Sequence, residues 1–239
     1  METLLGVKGI PCDNEIRNLL DRIEPSKFKA VFNKNMETAD KEGIIDQYRV
    51  LDGGVLIALD GVYYFSSEEI RCERCLHKTK DGKTTYYHSV LAATMVKPGD
   101  TNVIPVMSEM ITNEDGAKKQ DCEQNALKRW IANYEQEYKW LKPTILGDDL
   151  FSNYPACKAI LDAGMSFILT CKPASHPWLS ETVEHSIPEE YTKREWDGRK
   201  RLVYRYKWVN GVEIRGSKET LFAVGSDTPP LGAVRIGSV

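Results

Sequence analysis

The spacing of apolar positions changes along this chain, and the changes divide it into segments. Between residues 13 and 42, Ile16, Leu19, Leu20 and Ile23 recur at helical intervals, with Asp13 suited to cap the start. Pro25 and Ser26 open a second helical stretch carrying Phe28, Val31 and Phe32, and Gly43 ends it. From Gly53 the pattern becomes strand-like. Val55-Leu56-Ile57-Ala58-Leu59-Asp60 and Thr144-Ile145-Leu146-Gly147-Asp148 are too short for typical helices and apolar enough for strands buried on both faces. Asp60 reads as the end of its strand, with Val62-Tyr63-Tyr64-Phe65 turning away and a polar excursion from Ser66 to Thr84. Tyr86–Val96 is rich in β-branched and aromatic residues and predicts another strand. Pro98-Gly99-Asp100 marks a turn, Asn102–Met107 a strand reaching toward Ile111, and Asn113–Gly116 a loop.

A long helix is predicted from Ala117 to Leu141. Cys122, Ala126, Leu127, Trp130, Ile131, Tyr134, Tyr138 and Leu141 form its apolar stripe, and Pro143 stops it. Tyr154–Ala163 reads as a helix closed by Gly164, and Ser166–Lys172 as a strand stopped by Pro173. Trp178–His185 suits a short helix. In Glu195–Ile214 the aromatic and β-branched runs are broken by Asp197-Gly198 and Asn210-Gly211, which are strong hairpin signals. Gly225–Val239 is rich in Gly, Pro and Ser and lacks a period, so it reads as a frayed or aberrant tail.

Composition adds bounds. The 239 residues suit one large domain or a core with an appendage, and 41% apolar with 28% charged residues is ordinary for a globular protein. No run approaches the roughly 18 apolar residues of a membrane span, and the first residues lack a signal-peptide pattern. A cytoplasmic protein without membrane contact is therefore expected, with its six cysteines reduced. The net charge of −3 does not advertise nucleic-acid binding, although basic residues cluster at Lys78–Lys83, at Lys118 and Lys119, and over Lys193–Lys207.

Two carboxylates carry the first candidate chemistry. Asp60 and Asp148 stand where ligands of open α/β sheets collect, and paired acids on neighbouring strands can share hard divalent metals. Strand alternation lets only one of Asp148 and Asp149 face such a metal; Asp148 is preferred, leaving Asp149 to cap the next helix or pair with a base. A second constellation is Cys72-x-x-Cys75 with His77, His88 and Cys122 as further donors, of which Cys72, Cys75, His88 and Cys122 form the candidate zinc set. Free thiols on a tight turn are the plainer alternative. Trp130, Tyr134 and Tyr138 are spaced for core packing rather than base stacking. Lys172, His176, Arg199, Lys200 and Arg201 are candidates for phosphate contacts.

The segments Leu56–Gly61, Tyr64–Ser67, Cys72–Cys75, Lys119–Gln124 and Gly147–Phe151 together resemble DDE transposases of bacterial insertion sequences, over about residues 5 to 223. The element order of three strands, helix, strand, helix, strand resembles the ribonuclease H-like fold. The resemblance implies an α/β, ribonuclease H-like mixed sheet with flanking helices: an N-terminal helical region (1–50), a catalytic core (51–185), a β-hairpin insertion (186–224) and the tail (225–239). It implies DNA transposition through cleavage and strand transfer on double-stranded DNA, both transposon ends and target, with Mg2+ or Mn2+ on Asp60 and Asp148 and a homo-oligomer as the working form. A structural Zn2+ is the second expected metal. In relatives with such an insertion the third acid, a Glu, follows the insertion, and no Glu occurs in 225–239. The expectation is thus of a truncated copy, inactive alone, with Glu184 as a substitute candidate from its spacing after Asp148. The alternatives are a non-catalytic DNA-binding or oligomer-forming remnant, or a zinc-stabilised scaffold.

Overall fold

The computed structural model describes residues 9, 11–20, 22–112 and 122–212, and the backbone of 213, 220–227 and 230–237. Asn113–Gly116, Lys118, Lys119 and the start of the long helix's expected range lie outside the described residues, as do the first residues read for a signal peptide. The chain forms two units, Met1–Ile44 and Ile45–Val239.

The first unit is helical. Helix α1 (Asp13–Leu20) begins one residue after Cys12, whose N–H donates to the Glu15 carboxylate at 3.0 Å, half of a capping box. Asp13 is the first helical residue rather than the cap. A single 3-10 turn (Pro25–Phe28) leads into α2 (Lys29–Lys41), and Gly43, at φ +69°, supplies the left-handed residue that ends it.

The second unit is α/β with a mixed sheet. Its elements in chain order are β1 (Arg49–Val50), β2 (Gly54–Ser67), β3 (Leu76–Lys80), β4 (Lys83–Val96), β5 (Ile104–Ile111), α3 (Glu123–Tyr138), β6 (Thr144–Gly147), α4 (Tyr154–Asp162), β7 (Ser166–Cys171), α5 (Pro177–Glu184), β8 (Glu189–Trp196), β9 (Arg201–Glu213), β10 (Thr220–Asp227) and β11 (Pro230–Gly237). The strand order is β3-β4-β2-β6-β7-β11-β10-β9-β8, with β5 also on β4 and β1 on β2. Strands β2, β6 and β7 run parallel, and all other pairings are antiparallel. The connections between the parallel strands carry α3 and α4, as parallel neighbours require.

Three expectations need correcting. Asp60 does not end its strand: β2 continues to Ser67, because Val62, Tyr63 and Phe65 keep pairing with β4 across a bulge at Tyr64. The polar stretch before Thr84 contains β3, turned back on β4 through Asp81 and Gly82, both at positive φ, so a hairpin stands where charge had suggested a loop. The tail read as aberrant contributes β11, which pairs antiparallel with β7 from Phe167 to Cys171. Its frequent glycines hid a strand whose stability comes from pairing with a distant segment.

The core lies between the sheet and α3. Ala126, Leu127, Trp130, Ile131, Tyr134 and Tyr138 are buried along one stripe of the helix, and Val55, Ile57, Leu59, Leu91, Ala93 and Met95 are buried on the strands. Alternation on β4 is clean: Ser89, Leu91, Ala93 and Met95 are buried while their neighbours are half-buried. Two polar links fix the helix to β5. Trp130 Nε1 donates to the Met107 carbonyl at 2.8 Å, and Arg129 bridges Glu109 at 3.0 Å.

Candidate metal centres

Register places the two predicted aspartates. Strands β2 and β6 pair as Leu56 with Thr144, Ile57 with Ile145 and Ala58 with Leu146. Carried two residues on, past the end of the ladder, the same register would bring Asp60 level with Asp148. Asp60 is held in mid-strand opposite Ala92 of β4. Asp148 is the first residue past β6.

The turn carrying Asp148 is built from its neighbours. A Cβ on Gly147 would stand 2.9 Å from both Phe151 and Leu169, so glycine lets the Phe151 ring pack under the strand end. Phe151 is 2% exposed and anchors the turn. The Leu150 N–H donates to Asp148 Oδ1 at 2.9 Å, an Asx turn. Asn153 caps α4 through the Ala156 N–H at 3.1 Å and donates to the Leu150 carbonyl at 2.9 Å.

Asp149 has a different set of partners. It accepts the Lys172 N–H at 2.6 Å, and its Oδ1 is 3.2 Å from His176 Nε2. Burial pushes its pKa up, but hydrogen bonds from Ser175 and Lys172 and the charges of His176 and Lys172 outweigh this, leaving it below the ordinary carboxylate value. Asp149 therefore ties the loop after β7 to the turn after β6. Lys172 and His176, considered for phosphate contacts, are part of this tie. Arg199 and Lys200 lie in the β8–β9 turn, their N–H groups donating to Asp197, and Arg201 begins β9. Lys193 and Lys207 pair with Glu195 and Glu190.

A third carboxylate comes within electrostatic range of the two aspartates. Glu123 opens α3, and its carboxylate lies against Gly61, where any Cβ would collide with it. The next residue, Gln124, donates to the Leu150 carbonyl at 3.1 Å, which ties the first turn of α3 to the Asp148 turn. Burial raises the Glu123 pKa above its ordinary value, and the charges of Asp148 and then Asp60 raise it further. Glu123 thus lies near enough to feel both aspartates, but the oxygens of the three acids do not gather as closely as the Cys72, Cys75 and His88 donors do. The one hint in the sequence was Gly61: a glycine inside a β-rich run, directly after a candidate acid, marks close approach by another group without naming Glu123. Glu184, the earlier candidate, is the exposed last residue of α5.

No family model matches this chain, and no curated protein matches it.

The second centre forms on the arm where β2, β3 and β4 extend past the core. Cys72, Cys75 and His88 bring their donor atoms together and can hold a metal such as zinc. The Sγ atoms are 3.6 Å apart, and His88 Nε2 is 3.3 Å from Cys72 Sγ and 3.4 Å from Cys75 Sγ. Local structure explains the convergence. The Cys75 N–H donates to the Cys72 carbonyl at 3.2 Å in a tight turn, and the Cys72 N–H donates to Cys75 Sγ at 3.2 Å. His88 sits opposite Phe65 on β4, its ring stacked on Tyr64 with centroids 5.7 Å apart. Cys122 does not join this group: it directly precedes α3, beside Glu123, because the helix starts at the carboxylate centre. His77 is on β3, its ring 6.4 Å from that of Tyr86.

No helix among the described residues is long and apolar enough to cross a membrane.

Proposed function

We propose that this chain acts on double-stranded DNA by metal-dependent phosphoryl transfer, as a DDE-type transposase domain with a ribonuclease H-like core. The reading is supported by Asp60 on β2 and Asp148 just past the end of the neighbouring parallel strand β6, with the Glu123 carboxylate seated on Gly61. The donor set suits Mg2+ or Mn2+: three carboxylates offer hard oxygens, and their mutual repulsion favours a bound cation. Gly61 leaves open the space that the Glu123 carboxylate fills. Bound there, the metal would supply Lewis acidity at phosphoryl oxygens and lower the pKa of the attacking water or hydroxyl.

The residues divide the work. Asp60, paired with Ala92 of β4 in mid-strand, is a donor on rigid backbone. Asp148 is a donor on a turn held by Phe151 and the Asx bond. Glu123 approaches from the helix side. The expectation of an inactive chain rested on the want of a third acid, and we assign that role to Glu123, from an element earlier in the chain. The substrate class is supported by the motif resemblance and by the basic turn at Arg199, Lys200 and Arg201. With the β3 hairpin strand set aside, the order β2, β4, β5, α3, β6, α4, β7 supports the fold reading. We further propose that the metal at Cys72, Cys75 and His88 is Zn2+, which clips the far end of the β2–β4 arm.

The test is Mn2+-dependent nicking and strand transfer on supercoiled plasmid carrying the DNA that flanks the coding sequence. Product from the wild type, lost in Asp60→Asn and Glu123→Gln, is expected. DNA binding that persists in EDTA with no product at any metal concentration would refute the enzyme and favour a non-catalytic DNA-binding role.

A further inference from the structure

Tetrahedral zinc, with bonds of about 2.3 Å to sulfur and about 2.0 Å to nitrogen, needs donor–donor edges of roughly 3.8 Å between sulfurs and roughly 3.5 Å between sulfur and nitrogen. The edges in the Cys72, Cys75, His88 triangle are 3.6, 3.3 and 3.4 Å. The triangle therefore already has the size of one face of a zinc tetrahedron. Among the described residues no fourth His, Cys, Asp or Glu joins it.

The surroundings of the triangle are also informative. The three ligands line a pocket of about 420 Å³ together with Tyr64, Phe65, Ile70 and Arg71. That size falls in the range of small-molecule sites. Its walls are largely apolar, and its one cation is held in place. Arg71 donates to the Tyr86 hydroxyl at 2.8 Å, and its guanidinium carbon lies 5.3 Å from the Tyr86 ring centroid. Two thiolates neutralise a Zn2+ ion, so the centre itself repels no anion, and Arg71 at the rim favours one.

We propose that Cys72, Cys75 and His88 hold Zn2+ as a three-ligand centre whose fourth position opens into this pocket and takes an exchangeable water or small anion. This rests on the zinc reading above and goes beyond it: structural zinc sites are closed by four protein ligands, whereas three ligands plus an open position is the arrangement of reactive zinc. On β4, His88 is four residues from Ala92, the partner of Asp60, so the pocket is roughly 14 Å from the carboxylates and separate from them.

The experiment uses the full chain, purified with a phosphine reductant and loaded with Zn2+ or Co2+. One metal per chain is expected, measured by elemental analysis with the magnesium-type site emptied by washing. Cys75→Ser should lose it, and His88→Cys, which supplies a thiolate in place of the imidazole, should retain it. The cobalt form should give the visible bands of tetrahedral Co2+ with thiolate charge transfer, and azide should shift those bands saturably. Arg71→Ala should weaken the azide response about ten-fold while leaving the metal content at one. Absence of stoichiometric metal in the wild type would overturn the zinc reading itself. Bound cobalt with bands that azide cannot move would leave zinc in place and overturn the open position.

Discussion

Gly61→Ala is the sharpest probe of the carboxylate centre, because it adds one methyl group and removes no acid. The new Cβ would lie 2.9 Å from Glu123 Cγ and overlap the carboxylate. Ordinary carbon contacts need about 3.5–4.0 Å, so the side chain must swing away by about an ångström or change rotamer. An off-rotamer side chain costs about 0.5–1.5 kcal/mol. Replacing glycine by alanine inside a strand recovers about 0.5–1 kcal/mol. The net change in folding stability is therefore expected within about 1 kcal/mol of zero. Metal affinity has no such offset. Disturbing the support of a ligand typically weakens binding ~10- to 100-fold, or about 1.4–2.7 kcal/mol. Mn2+ titration followed by the paramagnetic resonance of the free ion measures the affinity, and urea unfolding measures the stability. In a Glu123→Gln background the alanine should add nothing further, since both changes remove one ligand. A Gly61→Ala protein that folds normally and binds Mn2+ as tightly as the wild type would refute the placement of Glu123 in the centre.

Glu123→Gln should also alter the pH dependence of stability. The folded-state pKa is raised above the ordinary 4.5, so stability tied to the protonated acid is present at low pH and lost as pH rises through the folded pKa. In EDTA, the melting temperature of Glu123→Gln should therefore exceed that of the wild type at about pH 7 and converge with it toward about pH 4, with Mg2+ reversing the order at neutral pH; a constant difference across this range would contradict the sign. Asp148→Asn should abolish Mn2+-dependent nicking and leave urea stability nearly unchanged. Asp149→Asn should do the converse, costing about 1–3 kcal/mol through the bonds to Lys172 and Ser175; because the Asp149 pKa is depressed, that difference should shrink as pH falls below the ordinary 3.8. Trp130→Phe leaves the Met107 carbonyl without its 2.8 Å donor and should cost about 1–3 kcal/mol in urea unfolding, with no change in metal content.

The sequence revealed those parts of the molecule whose period is local. The stripe of α3, the paired runs of β2 and β6, and the proline and glycine stops after Leu141 and Ala163 can be read without long-range information, and the α/β class follows from their order. The strand β3 could not be read that way, because Lys78, Lys80 and Lys83 mimic a solvated loop and the pairing to β4 is what makes a strand of them. Strand β11 is the same case at greater distance: nothing within 230–237 announces that β7 is its partner. Of the three acids, Asp60 and Asp148 stood out as candidates, since each follows an apolar run. Glu123 was not, because an acid in the first turn of a helix is common for reasons of helix polarity alone. At the second centre the CxxC spacing pointed to Cys72 and Cys75, and His88 was found on β4, but Cys122 was drawn in by residue type. Only the start of α3 decides that it points elsewhere.

The β2–β4 arm beyond Val62 and Ser89 has a small hydrophobic interior centred on Leu76 and Cys75. Tyr63 and Tyr64 are exposed, and the arm is held chiefly by cross-strand ring contacts such as Tyr63 with Tyr87 and by the Cys72, Cys75, His88 triangle. Backbone amides there should open to deuterium on a separate, faster clock than those of β6 and β7, and chelation should quicken them while the interior ladder keeps its pace. The arm would then act as a small folding unit of its own, ordered by metal supply and able to unravel while the sheet around β6 stays intact.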